Sequence, residues 1–162
     1  MFGFRKKQKK RTDIFAPVNG KAIALEEVGD GVFSEKLVGD GAAVIPEQDQ
    51  ISIPADGTVS FVMDTGHAFG IRTLDGPEIL VHIGIDTVNE KGNGFQVLVE
   101  AEQKVKAGDP AVLVDRAALL EKGYDLTVMV LVPEAERFGS LKTVSMGEVK
   151  TGKDIILELS EC

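Results

Sequence analysis

The chain has 162 residues, 43% of them hydrophobic and 27% charged, with a formal net charge of −8. That length makes one domain with a sizeable core, and the composition excludes a disordered or fibrous chain. The negative charge argues against a nucleic-acid binder, and one cysteine, Cys162, allows no internal disulfide and fits a reducing compartment.

Residues 1–12 read MFGFRKKQKKRT, and Arg5, Lys6, Lys7, Lys9, Lys10 and Arg11 supply six of the 18 basic residues. No apolar h-region follows these charges, so the stretch is not a secretory signal. No run in the chain reaches the ~18 apolar residues of a membrane span. Residues 1–12 therefore read as a flexible basic tail and residues 13–162 as a single domain. Within residues 1–11 the six cations, with Phe2 and Phe4, suit weak contact with an anionic membrane surface. Each basic residue near such a surface contributes about 1 kcal/mol.

From Ile14 the chain is short β runs punctuated by glycine. Ala16-Pro17-Val18-Asn19-Gly20-Lys21-Ala22-Ile23 is echoed by Ile53-Pro54-Ala55-Asp56-Gly57-Thr58-Val59-Ser60. Both place proline at a strand edge, then a turn, then a new strand. Val105-Lys106-Ala107-Gly108-Asp109 is likewise echoed by Val149-Lys150-Thr151-Gly152-Lys153-Asp154. The paired phrases point to an internally duplicated β unit. The stretch from Asp30 to Gly41 holds too many turn residues for a long helix, although it leaves room for one helical turn near Val32–Leu37. Ala42–Pro46, Ile51–Ile53, Phe95–Val99, Leu126–Val132 and Ile155–Leu159 read as strands. Ala117–Gly123 reads as a short helix with Asp115 as N-cap and Gly123 beyond its C-terminus. The pattern is all-β: an antiparallel β-sandwich or partly closed barrel with short helical turns.

Residues 63–88 stand apart, because they hold both histidines of the protein, His67 and His82. Each lies in an apolar, β-branched run, and Leu74-Asp75-Gly76-Pro77 between them is turn chemistry, so the stretch predicts an antiparallel hairpin. Pairing Thr73 with Glu78 sets His67 opposite Gly84 and His82 two residues away on the same face. Diagonal neighbours of that kind are about 7–8 Å apart. A slip of one residue would put the rings on opposite faces. Two imidazoles on one face can bind a metal, act as base and acid, or act as nucleophile and stabiliser. A zinc hydrolase would need a third ligand such as Asp64 or Asp86. A biotinyl- or lipoyl-type carrier and a non-catalytic binding module are the other readings.

The segment Thr65-Gly66-His67-Ala68-Phe69-Gly70-Ile71, the segment Gly76-Pro77-Glu78-Ile79-Leu80-Val81-His82-Ile83-Gly84-Ile85-Asp86-Thr87-Val88, and Gly39-Asp40-Gly41 upstream resemble the glucose-family IIA component of the bacterial phosphoenolpyruvate:sugar phosphotransferase system. The resemblance runs from about Ile14 to about Leu159. It implies a phosphotransferase component in which His82 accepts a phosphoryl group from the phosphohistidine of HPr and passes it to a cysteine of a IIB domain. It assigns His67 as stabiliser of the phosphoryl group and Thr65 as the hydroxyl that orients His67. The Gly84 carbonyl is the expected acceptor for the other nitrogen of His82. Phe33, Phe69 and Val88 are the apolar candidates for a partner-binding surface, and Asp30 and Asp86 the acidic ones. Phosphorylation would also switch binding to regulatory targets. No cofactor is implied, with zinc expected only where a partner's carboxylate completes a site begun by His67 and His82. The implied location is cytoplasmic, or peripheral at the inner membrane face. Gly66 departs from that family, which often has a larger polar residue there, and is expected to loosen the loop. Nothing resembles a IIB or IIC domain, so the chain reads as a stand-alone IIA protein.

Overall fold

Glycine and proline cut the chain into short strands, and among the described residues every strand pairing is antiparallel. The computed structural model describes residues 10–29 and 39–161. In these residues the strands are β1 (Arg11–Phe15), β2 (Gly20–Ala24), β3 (Asp40–Pro46), β4 (Gln50–Ser52), β5 (Gly57–Val62), β6 (Ala68–Thr73) and β7 (Glu78–Ile83). They continue as β8 (Phe95–Val97), β9 (Lys104–Val105), β10 (Pro110–Val114), β11 (Val128–Val132), β12 (Ser140–Thr143), β13 (Gly147–Val149) and β14 (Ile155–Ser160). Among the described residues one α-helix, α1 (Arg116–Glu121), starts where the Asp115 carboxylate accepts from the Ala118 N–H at 3.2 Å. Asp30, Phe33, the helical turn expected near residue 33 and most of the basic tail fall outside the described residues. No helix among those described is long and apolar enough to cross a membrane.

An eight-stranded sheet, ordered β13-β2-β3-β11-β7-β6-β5-β9, packs with two three-stranded sheets, β1-β14-β12 and β4-β10-β8. Alternation along its strands sends two apolar sets to opposite faces. Phe69, Ile71, Ile79, Val81, Ile83, Val128 and Val130 join Ile14, Ile53, Val112 and Ile156 in the main core. Ile23, Ala43, Met129 and Leu131 face the other way and are covered by Leu25 and Val28, with Leu80 and Ile85 packed on them. The sheet is thus apolar on both sides over β2, β3, β11 and β7. Its second side carries the functional strand.

The echoed phrases sit at positions related by an approximate twofold. The Phe15 N–H bonds the Pro54 carbonyl at 2.7 Å, and the Ser52 N–H bonds the Pro17 carbonyl at 2.6 Å. Ala16 donates to the Asp154 carbonyl as Ile53 donates to the Asp109 carbonyl. Asn19 Oδ1 accepts from Thr151 N–H at 2.8 Å, and Asp56 Oδ1 accepts from Ala107 N–H at 2.9 Å. Val149 pairs with Gly20 in the way that Val105 pairs with Gly57. The two halves meet at Gly152 and Gly108, where a Cβ on Gly152 would lie 3.0 Å from the Gly108 Cα. These contacts support the duplicated unit.

The register of the histidine hairpin differs from expectation by one residue. Arg72 pairs with Glu78, Phe69 with Val81 and Ala68 with His82. The turn causes this. Both the N–H and the hydroxyl of Thr73 reach the Pro77 carbonyl, at 3.0 and 2.6 Å, so the loop closes between residues 73 and 77.

Candidate functional site

Strand β7 presents Glu78, Leu80 and His82 on the outward face, because Ile79, Val81 and Ile83 take the core positions. His82 is half-exposed. Its cross-strand neighbours are Ala68 on β6 and Met129 on β11, a small and a flexible residue.

With the observed register, strict alternation would turn His67 to the core side. It does not, because His67 precedes β6 and lies in a bend. Its carbonyl still accepts from the Ile83 N–H at 2.7 Å, so the main chain stays against β7. Gly66 ahead of it adopts φ +75° and swings the imidazole onto the outer face. The two rings stand edge to face, centroids 5.3 Å apart and planes at 76°. The pairing of the histidines therefore holds for a different reason than strand alternation.

Gly66 tightens this turn and does not loosen it. A Cβ there would lie 2.9 Å from the Phe95 Cβ and 3.2 Å from the Val97 Cγ2. The turn is closed by Gly66 N–H to the Met63 carbonyl at 2.8 Å and by Met63 N–H to the Ala68 carbonyl at 3.0 Å. It brings the Thr65 hydroxyl to 2.5 Å from His67 Nδ1. His67 is 6% exposed. Burial lowers its pKa from the ordinary 6.5, so the neutral imidazole is favoured at neutral pH.

His82 is tied to the main chain instead. Its Nδ1 lies 2.8 Å from the Gly84 carbonyl oxygen. A carbonyl only accepts, so Nδ1 carries the proton and the lone pair of the neutral ring is on Nε2. Gly84 sits at φ +77°, which turns that carbonyl back toward the ring.

The remaining candidates separate. Val88, 47% exposed, and exposed Asp86 lie within and at the start of the 3-10 turn Thr87–Glu90, a short way along the chain from His82. Lys122 and Tyr124 hydrogen-bond Glu90 and hold its carboxyl below its ordinary range, which anchors the turn to the end of α1. Phe69 is wholly buried and packs in the main core opposite Val81, so it is not part of the partner surface expected for it. Two residues of the outer face that were not among the expected surface candidates are Leu80 and Ile85. Parity along β7 would have found Leu80, since it shares the face of His82 in any register. Among the described residues no group of three His, Cys, Asp or Glu side chains stands close enough to hold a metal ion. Asp64 and Asp86 thus do not complete a three-ligand site with the two histidines.

Residues 12–138 match the family described as the phosphoenolpyruvate-dependent sugar phosphotransferase system, EIIA 1. The chain is 40% identical over 150 residues to the PTS system glucose-specific EIIA component of Buchnera aphidicola subsp. Acyrthosiphon pisum, covering 93% of this chain and 92% of that protein. It is 40% identical over 144 residues to the PTS system mannose-specific EIIBCA component of Corynebacterium glutamicum, covering 89% of this chain but 21% of that longer protein. The solved structure of glucose permease IIA from Mycoplasma capricolum is similar over 98% of this chain and 99% of that one, with a TM-score of 0.83 and 38% identity.

Proposed function

The chain belongs to the phosphoenolpyruvate-dependent sugar phosphotransferase system EIIA 1 family, and from that membership we propose that it carries a phosphoryl group on His82 between HPr and a IIB domain. The observation that carries this reading is the geometry of His82: Nδ1 committed to the Gly84 carbonyl, and His67 edge-on 5.3 Å away.

The Nε2 lone pair of His82 attacks the phosphorus of phospho-HPr in line. A new P–N bond forms as the bond to the HPr histidine breaks, and that histidine leaves with its electron pair. No metal is needed to activate a neutral imidazole. The transfer depends mostly on alignment and on stabilising charge over the equatorial oxygens. His67 supplies that stabilisation. The Thr65 hydroxyl donates to its Nδ1, which places the proton on Nε2 and makes that N–H a donor to a phosphoryl oxygen. Burial of His67 keeps it neutral, so it holds this tautomer and does not compete for the group. In the second step a thiolate of the IIB domain attacks the same phosphorus and releases His82.

Both partners must approach one face. Leu80, Ile85 and Val88 give it an apolar centre, and Asp86 gives it an acidic rim, a pattern suited to protein docking. A IIB partner is supported by the EIIBCA relative, in which a segment like this chain is one fifth of a longer protein. The phosphoryl group adds roughly −1.5 to −2 charges to the face and would switch binding of further regulatory partners. A zinc ion held jointly with a partner would need that partner to bring the ligands beyond His67 and His82. We place the protein in the cytoplasm, with residues 1–11 in weak contact with anionic lipid.

The test is incubation with phosphoenolpyruvate, enzyme I and HPr. The expected result is an acid-labile, base-stable +80 Da adduct, the mass of about one phosphoryl group, mapping to His82. An adduct on another residue, or none, removes the reading.

A further inference from the structure

We propose that Thr87 and Asp125 are positioning residues that fix the tautomer of His82 through the loop that presents the Gly84 carbonyl. The inference rests on the carrier reading for its consequence, but its structural content stands apart from it.

A carbonyl can direct an imidazole only if its own peptide plane is fixed. Two planes flank the Gly84 Cα, and rotation about φ and ψ of that residue would turn the carbonyl away from His82. Glycine is the residue least able to resist such rotation. In this structure both planes are pinned on both of their polar edges. The plane between residues 83 and 84 is held at its carbonyl by the Thr87 hydroxyl, at 2.5 Å, and at its N–H by the Thr127 carbonyl, at 3.0 Å. The plane between residues 84 and 85 accepts from His82 Nδ1 at its carbonyl and donates from Ile85 N–H to the Asp125 carbonyl, at 2.9 Å.

The outer anchors are themselves fixed. One oxygen of the Asp125 carboxylate accepts from the N–H of Thr127 at 2.9 Å and from its hydroxyl at 2.6 Å. This turn holds the Thr127 and Asp125 carbonyls at the spacing the loop requires. Thr87 is fully buried and so cannot exchange its bond to Ile83 for one with water. Its methyl closes the space beside Gly84, where an added Cβ would lie 2.5 Å from the Thr87 Cγ2 and 3.0 Å from the Asp125 carbonyl oxygen. The Thr87 hydroxyl bonds the Ile83 carbonyl and the Asp125 carboxylate bonds Thr127. Each acts on His82 through the main chain, and together they determine which nitrogen bears the lone pair.

The experiment reads the tautomer directly. Nitrogen-15 spectra of the unphosphorylated protein distinguish the protonated from the bare nitrogen of each imidazole. In Thr87→Val, which keeps the shape and removes the hydroxyl, and in Asp125→Ala, the proton of His82 should redistribute from Nδ1 to Nε2. Thr87→Ser should restore the wild-type pattern. Phosphoryl uptake from phospho-HPr should fall about tenfold in the first two variants, the usual scale for losing a group that orients a reacting ligand, and recover in the third. Asp125 is exposed, so its variant tests the idea even where Thr87→Val disturbs the fold. A wild-type nitrogen pattern in both Thr87→Val and Asp125→Ala overturns the proposal, whatever the uptake assay gives. Wild-type protein that takes no phosphoryl group would sink the carrier reading, while the nitrogen pattern would still decide this one.

Discussion

His67 and His82 lie 5.3 Å apart and are held by opposite means. His82 stands on a strand, half-exposed, and its fixed partner is a main-chain carbonyl. His67 stands in a turn, buried, and its partner is the hydroxyl of a single side chain. The difference follows the work proposed for each. The residue that must meet two proteins needs an open approach, so its orientation comes from backbone below it. The residue that only steadies charge can be enclosed, and enclosure keeps it neutral. Orientation by that carbonyl draws on several supports around Gly84, whereas orientation by one hydroxyl rests on a single group.

The sharpest break of this comparison is to remove each ring in turn. His82→Gln should abolish labelling by phospho-HPr, since no nucleophile remains at that position. His67→Gln should still accept the group but deliver it to IIB about 10²-fold or more slowly, the cost of losing one donor to a developing charge. Rapid-quench transfer assays separate the two steps. Normal labelling of the His82 variant would reverse the assignment.

A smaller effect tests the side-chain support of His67. Thr65→Val should slow delivery to IIB about tenfold, by the same scale as other orienting groups, and Thr65→Ser should recover it. Equal rates in wild type and Thr65→Val would mean that the turn alone holds the ring. Smaller still for transfer, Gly66→Ala should cost stability. The residue sits at φ +75° against Phe95. The left-handed conformation alone costs a non-glycine residue about 1–2 kcal/mol, readable as a lower urea midpoint.

The contrast between the histidines also marks what could be read in the sequence. β-branched runs broken by glycine and proline revealed the antiparallel sandwich, and Asp115 and Gly123 bracketed the helix, because these signals are local. Parity within β7 is equally local and would have placed Leu80 with His82, although the expected surface residues did not draw on it. The hairpin register was not local. It depended on Thr73 reaching the Pro77 carbonyl, and a hydroxyl's choice of acceptor leaves no periodic trace. His67 escaped alternation because a bend, which has no period, turns it. Phe69 was misplaced as surface because its partner in the core, Val81, is known only once that register is set. The link between the two echoed phrases was visible, but their twofold contact at Gly108 and Gly152 needed the folded chain.

The least of the expected effects concerns protonation, and it bears on why His67 is enclosed. In the unfolded chain His67 gains a proton as pH falls through its ordinary 6.5, while in the folded protein burial holds its pKa lower. Above 6.5 neither form binds that proton, and the contribution of the neutral ring to stability is fully present. Between the ordinary and the lowered value the unfolded chain binds more protons, so each step down in pH removes stability. The loss is complete only once the folded pKa is passed. Thermal melts of wild type and His67→Gln over about pH 7 to 5 isolate this contribution, because carboxylates common to both chains drop out of the difference. The wild-type melting temperature should fall more steeply than that of the variant. Parallel curves would mean that the imidazole is hydrated in the folded protein, and a hydrated His67 would be as free to charge as any exposed histidine. Its neutrality, and with it the division of roles between the two rings, would then need another cause.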